Sequence, residues 1–346
     1  MILVGTICVV LWVIGWAMSA RIQQRWIMIL VVFCAVISGH LVLPIAHPLR
    51  MNTGGSWQVW ALLAAFVAVI WVYRQGLRKL RGKVQPEAVA NDGAMSDTEL
   101  DRYARHIVMP EIGGSGQMLL RKSRVLVVGA GGLGAPALQY LAAAGVGTIG
   151  IVDDDVVDAT NLQRQVIHRD EDIGLPKVVS AARALRALNP YVRVKTYQQR
   201  LTVDIAEAVI SNYDIVLDGT DNFETRYLVN QACIAQAVPL VSGALSQWEG
   251  QVSLFDPARS GPCYQCIFPT PPAPEFALSC SQIGVFAALP GVIGSLVAAE
   301  ALKYLLGAGT SLRGRLAIHN VLDAEARIIK TKQRADCPIC HPSLPN

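Results

Sequence analysis

The chain has 346 residues, 52% of them hydrophobic, and a formal charge of +4. That length is enough for two structural units, and so small a positive charge gives no electrostatic footprint of a nucleic-acid binder. The hydrophobic excess lies mostly in the first 73 residues. "MILVGTICVVLWVIGWAMSA" carries no charge until Arg21, and "WIMILVVFCAVISGHLVLPIAH" and "WQVWALLAAFVAVIWVY" follow it. Each run approaches the roughly 20 residues that cross a bilayer core, which predicts spans at about 2–20, 26–46 and 57–73. Buried helices of a soluble protein are the alternative, but those keep a polar face and these runs have none. A cleavable signal is excluded by the missing basic start and by the two further runs.

Arg21 and Arg25 separate the first two runs, Arg50 alone separates the second from the third, and Arg74, Arg78, Lys79, Arg81 and Lys83 follow the third. The basic side stays in the cytoplasm, so the expected placement is the inner membrane with everything after Tyr73 inside. His40 reads as a residue near the interface. Residues 76–95 read as a basic, polar linker. "SDTE", Ser96 to Glu99, then carries the capping-box pattern of a helix start and opens a soluble domain at 96–341, with a short tail at 342–346.

Within that domain "RVLVVG", "TIGIVDDD", "YDIVLDGTDN" and "VPLVSGAL" read as strands alternating with helices such as "APALQYLAAAGV" and "TRYLVNQACIAQA". This is the pattern of an α/β fold with a mainly parallel sheet covered on both faces. The first strand runs into Gly129, Gly131 and Gly134, a G-x-G-x-x-G turn with Gly132 inside it. Such a turn lets backbone approach phosphates at a helix N-terminus. Asp153, at the end of the next strand, sits where a carboxylate grips ribose hydroxyls. To this point NAD and ATP fit equally.

"DATNLQRQVIHRDEDIGLPK" separates them, because Arg164 and Lys177 follow the ribose strand closely. Hydride transfer has little use for two cations there, whereas attack on the α-phosphate of ATP builds charge on phosphoryl oxygens. "VLDGTDNFETR" puts Asp218 and Asp221 at the carboxyl end of another strand, the edge at which open α/β sheets bind ligands. A carboxylate there suits Mg²⁺ on a triphosphate; a helix cap is the bland alternative for the same residues.

Taken in order, "RYARHIVMPEIG", "VVGAGGLGAPALQYLAAAGVG", "VDDDVV", "TNLQRQVIH", "GLPK", "DGTDN", "VSGAL" and "EGQV" resemble the adenylating domain of the MoeB/ThiF family, bacterial relatives of ubiquitin-activating enzymes. The resemblance runs from about Ser96 to Cys340 and leaves the apolar N-terminal region unmatched. It implies a Rossmann-like adenylation fold and an ATP-dependent enzyme that adenylates the C-terminal glycine of a small ubiquitin-fold sulfur carrier ending in Gly-Gly. By the same resemblance Gly132 lies against ATP, Asp153 binds its ribose, and Asn161 and Arg164 face the nucleotide. Lys177 contacts phosphate, Asp221 serves Mg²⁺-assisted adenylation, and Asn222 borders the nucleotide. Arg105 resembles an arginine that reaches a neighbouring subunit's ATP, which implies a homodimer.

Of eight cysteines, "CYQC" and "CPIC" form two distant C-x-x-C pairs, Cys263 with Cys266 and Cys337 with Cys340. Two such pairs suit a Cys₄ zinc site that clips the C-terminus to the domain, and the resemblance implies the same. Two disulfides are the alternative, which a cytoplasmic location disfavours. Cys280 is a candidate nucleophile or sulfur-transfer residue only. A persulfide donor has to come from a separate protein. Molybdopterin-synthase activation is the preferred pathway and thiamine-type sulfur activation the alternative. A membrane-anchored nucleotide sensor or redox protein is the rival of another class.

Overall fold

The computed structural model describes residues 2–18, 22–44, 47–53, part of 58–73, 93–272 and 284–341. It divides into two compact units, Met1–Pro86 and Glu87–Asn346. In the first, helices span Ile2–Ala17, Ile22–Val42 and Pro48–Thr53. The second helix is thus shifted toward the N-terminus of the expected span, and the short third one was not anticipated. The described positions between 58 and 73 are helical, and the remaining positions of that expected span lie outside the described residues, as do Arg21 and most of the linker.

Trp26, Ile27, Leu30, Val31, Leu41 and Val42 are each more than half exposed, so one side of the second helix presents apolar side chains outward. His40 does the opposite. It is 2% exposed, and its Nε2 lies 2.9 Å from Thr53 Oγ1. Thr53 in turn accepts at its carbonyl from the Trp60 indole N–H at 3.0 Å.

The second unit opens with the capped helix Asp97–Ile107. The Glu99 amide donates to Ser96 Oγ, and Glu99 accepts back from the Ser96 amide. The sheet that follows has eight strands: β1 Arg124–Val128, β2 Thr148–Val152, β3 Arg193–Tyr197, β4 Ile215–Asp218, β5 Leu240–Leu245, β6 Glu249–Phe255, β7 Arg315–Asn320 and β8 Glu325–Lys330. Their order is β3-β2-β1-β4-β5-β6-β7-β8. The first five are parallel, and β6, β7 and β8 close the sheet as an antiparallel meander.

β1 shows why both faces are covered. Val125 and Val127 pack under the helices Gly134–Ala143, Lys177–Leu188 and Leu289–Leu306. Leu126 and Val128 point the other way, toward the helices Val203–Ile210 and Phe223–Ala235. This two-residue alternation is intrinsic to an extended strand. The chain runs outward from β1 through β2 to β3, then crosses to β4 on β1's other side. The crevice above this reversal, at the strands' carboxyl ends, is where such sheets hold ligands.

Candidate functional site

That crevice is a cleft of about 1080 Å³ bordered by the glycine turn, Asp153, Arg164, Lys177, Asp221 and Asn222, among others. The turn is possible only with glycine at its ends. Gly129 has φ +93°, and a Cβ on Gly134 would stand 1.8 Å from the Gly129 carbonyl oxygen. Gly131 and Gly132 line the cleft, while Gly134 packs beneath the turn as the first residue of its helix.

Asp153 ties the turn to β2. Its Oδ2 accepts from the Ala130 amide at 2.7 Å and its Oδ1 from the Asp155 amide at 2.8 Å. Burial pushes its carboxyl above the ordinary value, opposed by the Lys177 charge and these two amides. Each oxygen keeps a further acceptor site, which leaves the carboxylate able to take ribose hydroxyls.

The two cations are held differently. Arg164 reaches the cleft with its guanidinium on Asn161 Oδ1 at 2.8 Å and the Thr160 carbonyl at 3.3 Å. Asn161 is not among the described residues lining the cleft, and its Oδ1 holds the Arg164 guanidinium. Lys177 is the first residue of its helix, a position where the helix dipole disfavours a cation. Asp155 offsets this, with Oδ2 2.7 Å from the Lys177 ammonium.

The two aspartates after β4 also part company. Asp218 is 1% exposed and accepts from the Thr220 amide and hydroxyl, the Ser242 hydroxyl at 2.9 Å and the Arg226 guanidinium at 3.2 Å. It is fully occupied as a brace. Asp221, three residues on, is exposed and borders the cleft. The helix cap expected of one of these aspartates falls to Asn222, which accepts from the Thr225 amide at 2.9 Å at the start of Phe223–Ala235 and also borders the cleft.

Arg105 is exposed on the helix Asp97–Ile107 and is not among the described residues lining this cleft. Cys280 lies outside the described residues. Three contributors were not singled out from the sequence: Asp155, Arg226 and His168. Their partners lie 8 to 38 positions away along the chain, and spacing alone gives no signal of them.

Away from the cleft, the sulfurs of Cys263, Cys266, Cys337 and Cys340 all lie within 4.8 Å of one another. Neighbouring Sγ–Sγ distances are 3.4, 3.6 and 3.7 Å. A disulfide would need about 2.05 Å, whereas four 2.3 Å zinc–sulfur bonds in a tetrahedron separate sulfurs by about 3.8 Å. The Arg334 amide donates to Cys266 Sγ at 3.4 Å, the kind of outer contact that steadies a thiolate ligand. The four residues fit zinc.

The chain is also similar to known proteins. The family model described as "ThiF family" matches residues 103–339. A sulfur carrier protein adenylyltransferase of Thermus thermophilus is 50% identical over 246 residues, covering 70% of this chain and 91% of that protein. The SAMP-activating enzyme E1 of Haloferax volcanii is 48% identical over 247 residues, covering 71% and 91%. Among solved structures, E. coli MccB shares the fold with a TM-score of 0.61 at 22% identity, over 69% of this chain and 74% of that one.

Proposed function

The chain belongs to the ThiF family, and from that premise we propose that it is an ATP-dependent adenylyltransferase for the C-terminal glycine of a ubiquitin-fold sulfur carrier. A carboxylate oxygen of the carrier tail attacks the α-phosphorus, the bond to the leaving pyrophosphate breaks, and an acyl-adenylate forms. The observation that carries this reading is the convergence of Arg164, Lys177, the glycine turn and the free carboxylate of Asp221 on one cleft. A hydride-transfer site has no need of both cations, which weighs against a redox or sensor role.

In this reading Gly132 lies against ATP, Asp153 takes the ribose, and Arg164 and Lys177 neutralise the phosphates. Asp221 is the carboxylate that holds Mg²⁺, which when bound screens triphosphate charge. Positioning and charge neutralisation supply the acceleration, and no general base is required. Zinc on the four cysteines clips the C-terminal segment to the domain without entering the chemistry.

The carrier of molybdopterin synthase is the preferred substrate, on the likeness of "RHIVMPEIGGSGQ" and "CYQCIFPTPP" to that branch, with a thiamine-type carrier as the second reading. A homodimer in which Arg105 completes the partner's site suits its exposure. Cys280 stays a candidate nucleophile. Anchoring in the inner membrane, with the enzyme domain in the cytoplasm, is supported by the outward apolar side chains of the helix Ile22–Val42. Its stretch Arg25–Val42 is long and apolar enough to cross a membrane. The deciding experiment is ATP–pyrophosphate exchange with purified carriers ending in Gly-Gly; no exchange with any of them, together with reduction of a nicotinamide, overturns the proposal.

A further inference from the structure

Behind the glycine turn runs a line of four polar contacts. The Arg183 guanidinium lies 2.6 Å from Asp172 Oδ1, and the Ser180 hydroxyl donates to Asp172 Oδ2 at 2.8 Å. His168 Nδ1 meets Ser180 Oγ at 2.9 Å, and His168 Nε2 meets the Ala130 carbonyl oxygen at 3.0 Å. His168, Ser180 and Asp172 are all buried, so no solvent repairs a bad contact.

Counting protons exposes a conflict. Asp172, paired with Arg183, and the Ala130 carbonyl are acceptors only. Ser180 has one proton, given to Asp172. Both imidazole nitrogens must then donate, one to Ser180 and one to Ala130. A neutral imidazole has a single N–H and leaves one contact as lone pair against lone pair; an imidazolium satisfies both.

Ala130 matters because its amide N–H is fixed on Asp153 and its carbonyl on His168, which pins the peptide groups on both sides of it. In a trans peptide the following N–H points opposite the carbonyl. Holding the Ala130 carbonyl back therefore aims the Gly131 N–H the other way, and Gly131 lines the cleft. Backbone N–H groups so aimed are what phosphate oxygens bind.

We infer that His168 is a positioning residue for the phosphate cradle and takes up one proton from solvent when a nucleoside triphosphate binds. The inference rests on the reading of the cleft as an ATP site. In the free protein, burial and then the Lys177 charge hold the imidazole below its usual range, against the pull of the Ala130 carbonyl and Asp172. Asp153 faces the same turn through the Ala130 amide, and Arg183 acts through Asp172. A bound triphosphate adds negative charge beyond the turn and engages Lys177, and both effects favour the imidazolium. When pyrophosphate leaves, the proton returns to solvent.

The test is calorimetric binding of MgATP to the full chain in buffers of different ionisation enthalpy, across pH 6–8. His168→Gln keeps an N–H toward Ala130 without titrating. Relative to this variant, the wild-type chain takes up as much as one additional proton per ATP, and its affinity rises by up to tenfold per unit fall in pH between the free and bound pKa values. Ser180→Ala is the second variant: its neutral imidazole has only Ala130 to satisfy, so it takes up less of the extra proton than the wild-type chain. Equal proton uptake in all three overturns the inference and leaves the ATP reading standing. Failure of the wild-type chain to bind ATP overturns both.

Discussion

Lys177 Nζ and Asp155 Oδ2 stand 2.7 Å apart, with the lysine side chain 5% exposed and the aspartate 67% exposed. The pair is lopsided: the cation is committed to the interior while its counter-ion is mostly in water. Screening makes the aspartate a weak partner, one that a polyphosphate can displace.

Two variants separate the roles in that pair. Lys177→Ala lowers ATP–pyrophosphate exchange by about 10²–10³-fold, the usual loss when one charge-stabilising donor is removed from a reacting centre. Asp155→Asn removes the carboxylate that Lys177 contacts directly and leaves the more distant Asp153 as its counter-charge until nucleotide arrives. The rise in melting temperature on adding MgATP is therefore larger in Asp155→Asn than in the wild-type chain. A smaller rise would mean that Asp155 holds Lys177 in its working position.

Asp218 and Asp221 are expected to fail in opposite ways. Asp221→Ala abolishes exchange and leaves chemical denaturation unchanged, since the side chain has no intramolecular hydrogen bond among the described contacts. Asp218→Ala strands the buried Arg226 and costs about 3–5 kcal/mol of stability. Denaturation curves and exchange assays on the two variants check both statements.

The cysteine cluster predicts one zinc per chain by elemental analysis. Chelation, or Cys337→Ser, lowers the melting temperature by on the order of 10 °C. It also makes the segment after β8 sensitive to protease. A metal-free wild-type preparation with an unchanged melting temperature would contradict the assignment.

Stability without nucleotide has a pH signature. Burial, the largest influence on His168, together with Lys177 depresses its folded-state value. As pH falls through about 6.5, the ordinary imidazole value, the unfolded chain gains a proton that the folded chain does not. The contribution is therefore full above that pH. It is lost as pH descends toward the folded value, at up to about 1.4 kcal/mol per unit. The difference between wild type and His168→Gln in urea denaturation from pH 5 to 8 measures it.

The features readable from the sequence are those written in local spacing. The glycine turn, the Ser96–Glu99 cap and the paired cysteines each lie within a few residues, and β1, β2, β4 and β5 are apolar runs of buried strands. β3 and β8 escaped because they are edge strands with charged sequences, "RVKTY" and "EARIIK". With them went β6 and β7, so the antiparallel close of the sheet was not foreseen. Roles that depend on burial were equally silent. Nothing in "DGTDN" tells that the first aspartate is sealed against Arg226 while the second is open, and nothing in "RQVIH" tells that its histidine holds a carbonyl 38 positions upstream.

The helix Leu289–Leu306, like the stretch Arg25–Val42, is long and apolar enough to cross a membrane, yet it packs against the central sheet with Glu300 buried beside Lys303. It also lies between the two cysteine pairs. Had this segment been threaded through a lipid bilayer, Cys263 and Cys266 would be left in one compartment and Cys337 and Cys340 in the other. Sulfurs gathered within 4.8 Å thus pin both ends of this helix to one compartment, and apolarity alone does not make it a crossing.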